Sequence, residues 1–143
     1  MSGEVVLAEL RLWLGTPYLH QASKRGVGCD CLGLLRGVWR SLRGPEPCAV
    51  PPYSADWAEA GRREVLREAA ELYLTPLPPE APELPGEVLL FRMFEGSIAK
   101  HLGFRASAGP QGSFIHAYSG HGVVESALTA PWARRITGRY RLI

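Results

Sequence analysis

The chain has 143 residues, 46% of them hydrophobic and 21% charged, and a formal net charge of +2. That length suits a single domain over residues 1–143 with one sizeable core, and the charge is too small to argue for nucleic-acid binding by itself. Sixteen glycines and twelve prolines predict many turns and short strands without reaching low complexity.

No apolar run approaches the ~20 residues that span a bilayer, so no membrane insertion is expected. Met1-Ser2-Gly3-Glu4 opens on an acidic residue rather than a basic stretch, unlike a secretory leader. The expectation is synthesis in the cytoplasm without a signal peptide, with any work outside dependent on lysis or a carrier.

Val6, Leu7, Leu10, Trp13 and Leu14 recur at helical spacing, and Gly15-Thr16-Pro17 supplies the stop. Tyr18 to Gly28 is polar and glycine-containing, and reads as a loop. Leu32, Leu35, Val38, Trp39 and Leu42 mark a second helix that begins near Asp30 or Cys31 and closes at Gly44-Pro45. Cys48 to Tyr53 is an extended linker. Ser54 is an N-cap for a helix through Trp57, interrupted at Gly61, and Val65, Leu66, Ala69, Ala70, Leu72 and Tyr73 continue a helical pattern. Thr75 to Pro85 carries five prolines and excludes regular structure.

Beyond Gly86 the chemistry turns to strands: Val88–Phe94, His101–Ala106, Ser113–Tyr118, Gly122–Ala127 and Arg139–Ile143, separated by glycine-rich turns. Helices followed by strands predict an α+β fold with an antiparallel sheet. Four arginines (134, 135, 139 and 141) make a basic C-terminus, read first as a solvated strand face.

Three cysteines make an odd count. Cys29 and Cys31 are too close in sequence for a good mutual disulfide, which leaves free thiols, metal ligands or a nucleophile. Cys31 stands where a glycine-rich loop becomes a helix. There the dipole and the unpaired N–H groups of the first turn should lower a thiol pKa and hold an oxyanion. His101 and His116, both in predicted strands, could meet that thiol through the fold. The rival is zinc, with Cys29, Cys31, Cys48 and a histidine as ligands, although the spacing matches no usual structural site. Inert buried cysteines are the third reading.

Five motifs in order then carry a resemblance: Gly15-Thr16-Pro17-Tyr18, Asp30-Cys31-x-Gly33-Leu34, Pro85-Gly86-Glu87-Val88-Leu89-Leu90-Phe91, His101-Leu102-Gly103-Phe104 and Phe114-Ile115-His116-Ala117. Together they resemble the NlpC family of papain-like cell-wall cysteine peptidases over nearly the whole chain. Cys29-Asp30-Cys31-Leu32-Gly33-Leu34 and Ala99-Lys100-His101-Leu102-Gly103 look most similar to the branch found in phage and gene-transfer-agent tails.

The resemblance implies a papain-like, NlpC-type α+β fold, with N-terminal helices packed on a central antiparallel sheet. It implies Cys31 as nucleophile, His101 as base and His116 as the residue that orients the imidazole. Tyr18 is implied beside the nucleophile and Asp30 at the amino end of the bound stem peptide; no metal or cofactor is implied. The implied substrate is a peptidoglycan stem peptide cut between D-γ-glutamyl and a diamino acid. The implied partner is a tail hub or tail-tip protein, placing the chain in the cell envelope as a virion-like component. A structural tail-tip part with weak or no activity is the alternative. Two departures stand out: Leu32 where the family pattern has Ser, and Glu87 where it has Asp.

Overall fold

A computed structural model describes residues 2–50 and 64–142. The expected cap at Ser54, the helix through Trp57 and its break at Gly61 lie outside the described residues.

Helix α1 (Gly3–Trp13) buries Val6, Leu10 and Trp13, the face that the apolar spacing predicts. Helix α2 (Cys31–Arg43) starts on the N-cap Asp30 and ends at Gly44, whose φ of 90° only glycine adopts easily. Its buried face carries Gly33, Leu34, Gly37 and Val38. At Gly37 a Cβ would stand 2.1 Å from the Trp13 ring, so the missing side chain is what lets α1 and α2 approach. Helix α3 (Val65–Tyr73) buries Leu66 and Ala70.

Two short strands, β1 (Ser23–Lys24) and β2 (Gly28–Cys29), form a hairpin inside the stretch expected to be loop. The main sheet has six antiparallel strands in the order β3-β8-β4-β5-β6-β7. These are β3 (Thr75–Leu77), β4 (Val88–Arg92), β5 (Ala99–Ser107), β6 (Ser113–Tyr118), β7 (Gly122–Ala127) and β8 (Ile136–Arg141). The one-turn helix α4 (Ala130–Ala133) precedes β8.

Contrary to the sequence expectation, the proline-rich stretch is not wholly irregular: Thr75–Leu77 pairs with β8. Pro76 is tolerated because β3 is the edge of the sheet, where a missing N–H costs no interior ladder bond. The rest of that stretch is tied down by Arg139. Its guanidinium donates to the carbonyls of Pro79, Ala81 and Pro82 and pairs with the buried carboxylate of Glu87. Arg139 therefore faces inward and is not part of a solvated strand face. Glu87 also accepts the N–H of Leu84 and lies 3.6 Å from Arg105, a reach that suits Glu at this position.

Alternation along the strands divides the interior. Val88, Leu90, Leu102, Phe104, Ala106, Ile115 and Ala117 share the larger core with α1, α2 and α3. Leu89, Phe91 and Phe114 face the other side, covered by Leu128, Trp132 and Ile136. His101 and His116 fall on this second face by the same period of two.

Candidate active site

Cys31 is the first residue of α2. Asp30 holds that helix end: its Oδ1 accepts the N–H of Gly33 at 2.7 Å and its Oδ2 accepts the N–H of Gln21 at 2.7 Å. Asp30 is 2% exposed, and both bonds make it a cap that joins the preceding loop to the helix. Gln21 has φ +66°, the one described non-glycine residue in the left-handed region, and Asp30 fixes it there.

The backbone N–H groups of Leu102, Leu32 and Cys31 itself lie near the Cys31 sulfur and favour its thiolate. Leu102 can do so because the β5–β6 ladder stops at Phe104↔Ile115. Beyond that pair the two strands no longer bond to each other, and the helix end reaches the opened seam beside His101.

His101 and His116 meet on the sheet's second face. Nε2 of His101 lies 2.9 Å from Nδ1 of His116, and Nε2 of His116 lies 3.0 Å from the Ser126 hydroxyl. The chain of bonds leaves Nδ1 of His101 as the nitrogen available to Cys31. His101 is 8% exposed and His116 1%. Trp132 packs edge-on to His116 at 5.4 Å and tilted to His101 at 6.0 Å, closing the histidine pair from outside. Phe114 and Tyr118 flank His116, at 4.2 and 5.2 Å between centroids.

Burial sets the charge states. It holds His101 down to about 3, with a smaller contribution from His116. His116 is held down to about 4, again by burial first and by His121 second. Burial pushes the Cys31 thiol up to about 12, and the Asp30 carboxylate adds to it, while the backbone N–H groups pull the other way. The sequence expectation of a lowered thiol pKa is thus reversed. The helix end does supply its N–H groups, but desolvation beside a carboxylate outweighs them. Both shifts favour a neutral thiol and a neutral imidazole at rest.

Tyr18 bridges to Cys29 and is pushed up to about 12 by burial and then by Cys31, Asp30 and Cys29, the neighbours that surround its hydroxyl. Cys29 is fully buried in the core, and Cys48 is exposed beside Tyr73. Among the described residues no three His, Cys, Asp or Glu side chains converge as metal ligands would, and the three cysteines do not share a site. Leu32 lines an apolar hollow of about 320 Å³ between α2, α3 and the sheet, where a serine would be out of place.

Ser126, Trp132 and His121 are site residues that sequence reasoning missed. A signal for Ser126 exists in the register. Val124 lies opposite His116, so Ser126 shares the histidine's face two residues on.

An α+β chain with a cysteine at a helix N-terminus against a histidine pair on an antiparallel sheet has the papain-like arrangement. Comparison with solved structures specifies the type. NlpC1 from Trichomonas vaginalis superposes with a TM-score of 0.65 at 20% identity, over 98% of this chain and 44% of that one. The NlpC/p60 domain of the peptidoglycan hydrolase SagA gives 0.62 at 19% identity, over 98% of both. An NlpC/P60 family protein from Bacillus cereus gives 0.65 at 19%, over 99% of this chain and 40% of that one. The chain thus has the NlpC/P60 fold, and it spans less than half the length of the Trichomonas and Bacillus proteins. No protein-family model matches the chain, and no curated protein matches it in sequence.

Proposed function

We propose that the chain is a cysteine endopeptidase of bacterial peptidoglycan, cutting the stem peptide between D-γ-glutamyl and a diamino acid. The observation that carries this reading is the His101–His116 bond, closed by Trp132, one residue from a backbone N–H that lies near the Cys31 sulfur. The description of a structural neighbour as a peptidoglycan hydrolase supports the substrate.

In this mechanism the Cys31 thiol gives its proton to Nδ1 of His101 as the sulfur attacks the scissile carbonyl. His101 donates its Nε2–H in a hydrogen bond to His116, which donates its own Nε2–H to the Ser126 oxygen, so the imidazolium forms on His101 with its second donor already satisfied. The tetrahedral oxyanion draws on the N–H groups at the start of α2 and on Tyr18. Collapse breaks the C–N bond and moves the His101 proton to the leaving amine. Water then attacks the thioester, gives a proton to His101, and the proton returns to sulfur as the acid leaves. Tyr18 and Asp30 border the amino end of the peptide.

The motifs around Cys31 and His101 support delivery by a phage-like or gene-transfer-agent tail tip, with a tail hub or tail-tip protein as partner and the cell envelope as the place of action. The test is turnover of a purified stem peptide. Cys31→Ala and His101→Ala should abolish cleavage with the circular dichroism spectrum unchanged, and full activity in Cys31→Ala would overturn the reading. An intact wild-type protein that cleaves no stem peptide but fractionates with tail particles would favour the structural alternative.

A further inference from the structure

Between the β4–β5 loop and the end of α4 lies a pocket of about 500 Å³ walled by Arg92, Phe94, Glu95, Pro131, Arg134 and Arg135. Three guanidinium groups against one carboxylate make it net positive. Among the described residues, no carboxylate stands within ion-pair distance of any of the three. None of them donates a side-chain hydrogen bond to a described residue. Elsewhere the arginines are engaged: Arg36 and Arg40 with Glu46, Arg139 with Glu87, Arg11 with Glu125. Arg134 is exposed, while Arg92 and Arg135 are half-buried. Acceptors brought to half-buried guanidinium groups gain more than they would in open water.

Both walls of the pocket are ordered by their own contacts. On the loop side Phe94 is 59% exposed. A turn holds its backbone: the N–H of Ser97 donates to the Phe94 carbonyl at 3.1 Å, and the Ser97 hydroxyl donates to the same oxygen at 2.7 Å. On the helix side the Arg135 guanidinium lies over the Trp132 ring at 5.5 Å, within cation–π reach. The N–H of Arg92 ties the two sides together by donating to the Arg135 carbonyl at 2.9 Å. A partner would therefore meet cations and an aromatic ring that need little further ordering. Arginine beside an exposed aromatic ring is also the pairing that carries most binding energy at protein interfaces.

The chemistry of the walls selects the occupant. A bare phosphate would engage the guanidinium groups and leave Phe94 and Pro131 unused. A peptide segment with two carboxylates beside an apolar side chain would balance the excess charge and cover the ring as well. Guanidinium groups bind carboxylates by paired, charge-assisted hydrogen bonds.

We propose that Arg92, Phe94, Arg134 and Arg135 form a docking surface for an acidic segment of a protein partner, with two carboxylates beside an apolar side chain. The surface goes beyond the peptidase reading and does not depend on it.

The experiment titrates the full chain into a fluorescein-labelled acidic peptide, GDELDEG, and into its amide counterpart, GNQLNQG, followed by anisotropy. The wild type should bind the acidic peptide on the order of tenfold more tightly or better, and added salt should narrow the difference. Arg134→Glu should weaken binding on the order of tenfold, and the milder Arg134→Gln several-fold. Phe94→Ser should also weaken it several-fold but leave the salt dependence unchanged. Arg134 and Phe94 are both exposed, so these variants should keep the wild-type circular dichroism spectrum. Arg25→Glu makes the same charge change at the exposed β1–β2 turn and should leave the acidic peptide bound as before. Equal affinity for the two peptides overturns the surface, as do equal losses in Arg134→Glu and Arg25→Glu. Inorganic polyphosphate that binds where the acidic peptide does not, with no effect of Phe94→Ser, also overturns it and makes the pocket a phosphate site.

Discussion

His101 hands its Nε2 to Nδ1 of His116 across 2.9 Å, and the second histidine hands its own Nε2 to Ser126 across 3.0 Å. Two patterns of protons satisfy these bonds in the neutral pair, because the Ser126 hydroxyl can accept or donate. The one in which each Nε2 donates leaves Nδ1 of His101 unprotonated and able to take the Cys31 proton, and it is the pattern the proposed mechanism requires. The second histidine therefore works on the first by fixing its tautomer and the plane of its ring.

His116→Ala should consequently lower kcat by roughly 10- to 100-fold, the usual scale for removing a partner that orients a functional imidazole. KM should hold. His101→Ala should cost at least the 10²- to 10⁴-fold typical of a general base. His116→Gln, whose amide oxygen can accept the same N–H, should recover part of the His116→Ala loss. Steady-state kinetics on the stem peptide separate these outcomes, and equal losses for the two alanine variants would make His116 more than a positioning residue.

The same burial makes folding sensitive to acid. Both histidines have folded pKa values held below the ordinary 6.5, at about 3 and about 4, so the unfolded chain binds more protons below pH 6.5. Stability is full above that value and falls as pH drops toward the folded values. At pH 5 each histidine should account for a loss of about 2 kcal/mol relative to pH 7.5. Urea unfolding at the two pH values should show it, and His101→Phe should remove about half the difference. The carboxylates held low by arginine or hydrogen-bond partners, Glu46, Glu83 and Glu125, contribute only at more acid pH, below the ordinary carboxylate range.

Thiol chemistry should follow burial rather than the helix dipole. Cys48 is exposed, Cys29 is fully buried, and both Cys29 and Cys31 are pushed up to about 12. Iodoacetamide at pH 7 should alkylate Cys48 first, by mass spectrometry of the digest. Labelling of Cys31 should climb steadily from pH 8 to 11, since the thiolate is the reactive form. Fast alkylation of Cys31 at pH 7 would show a resting ion pair with His101 instead.

Much of this was legible in the sequence because the local patterns agree with the fold. Ser113–Tyr118 and Gly122–Ala127 are strands over the very residues that alternation predicts, and α1 and α2 bury their predicted stripes. What escaped depends on where elements end up. The edge strand at Thr75–Leu77 hides behind Pro76, whose penalty disappears only at an edge. Ser126 and Trp132 join the histidines through strand register and a one-turn helix too short for periodicity. The charge state of Cys31 turns on its depth beside Asp30, which spacing does not encode.

Glu87 should be a stability residue despite its distance from the chemistry. Its carboxylate is wholly buried and pairs with Arg139, with Arg105 close by. Glu87→Gln keeps the shape but takes the buried carboxylate from Arg139 and leaves Arg105 only the half-exposed Glu83 at 3.5 Å, a loss of about 3–5 kcal/mol on the scale for breaking a buried pair. Arg139→Gln should also release the carbonyls of Pro79, Ala81 and Pro82. Hydrogen exchange at Ala81 and Leu84, or limited proteolysis across 78–85, should report that release.

Gly33 gives the sharpest test of how the helix end positions the nucleophile. It lies two residues after Cys31, donates its N–H to Asp30 and accepts the Ser23 hydroxyl at 2.6 Å. A Cβ there would stand 1.8 Å from the Ala22 carbonyl oxygen, a backbone atom that accepts the N–H of Asp30. In an isolated helix Gly→Ala is stabilising by about 1 kcal/mol. Here the clash cannot be relieved by a rotamer, so α2 must withdraw from the hairpin, at the 1–3 kcal/mol typical of overpacking. Withdrawal carries Cys31 away from Leu102 and His101, and a misplacement of about 1 Å can cost on the order of 10²-fold in rate. Gly33→Ala should therefore lower both the urea midpoint and kcat. Gly37→Ala, which presses only on the Trp13 ring, should lower the midpoint with a much smaller effect on kcat. If both variants lose activity equally, the position of Cys31 does not depend on the Ala22 contact.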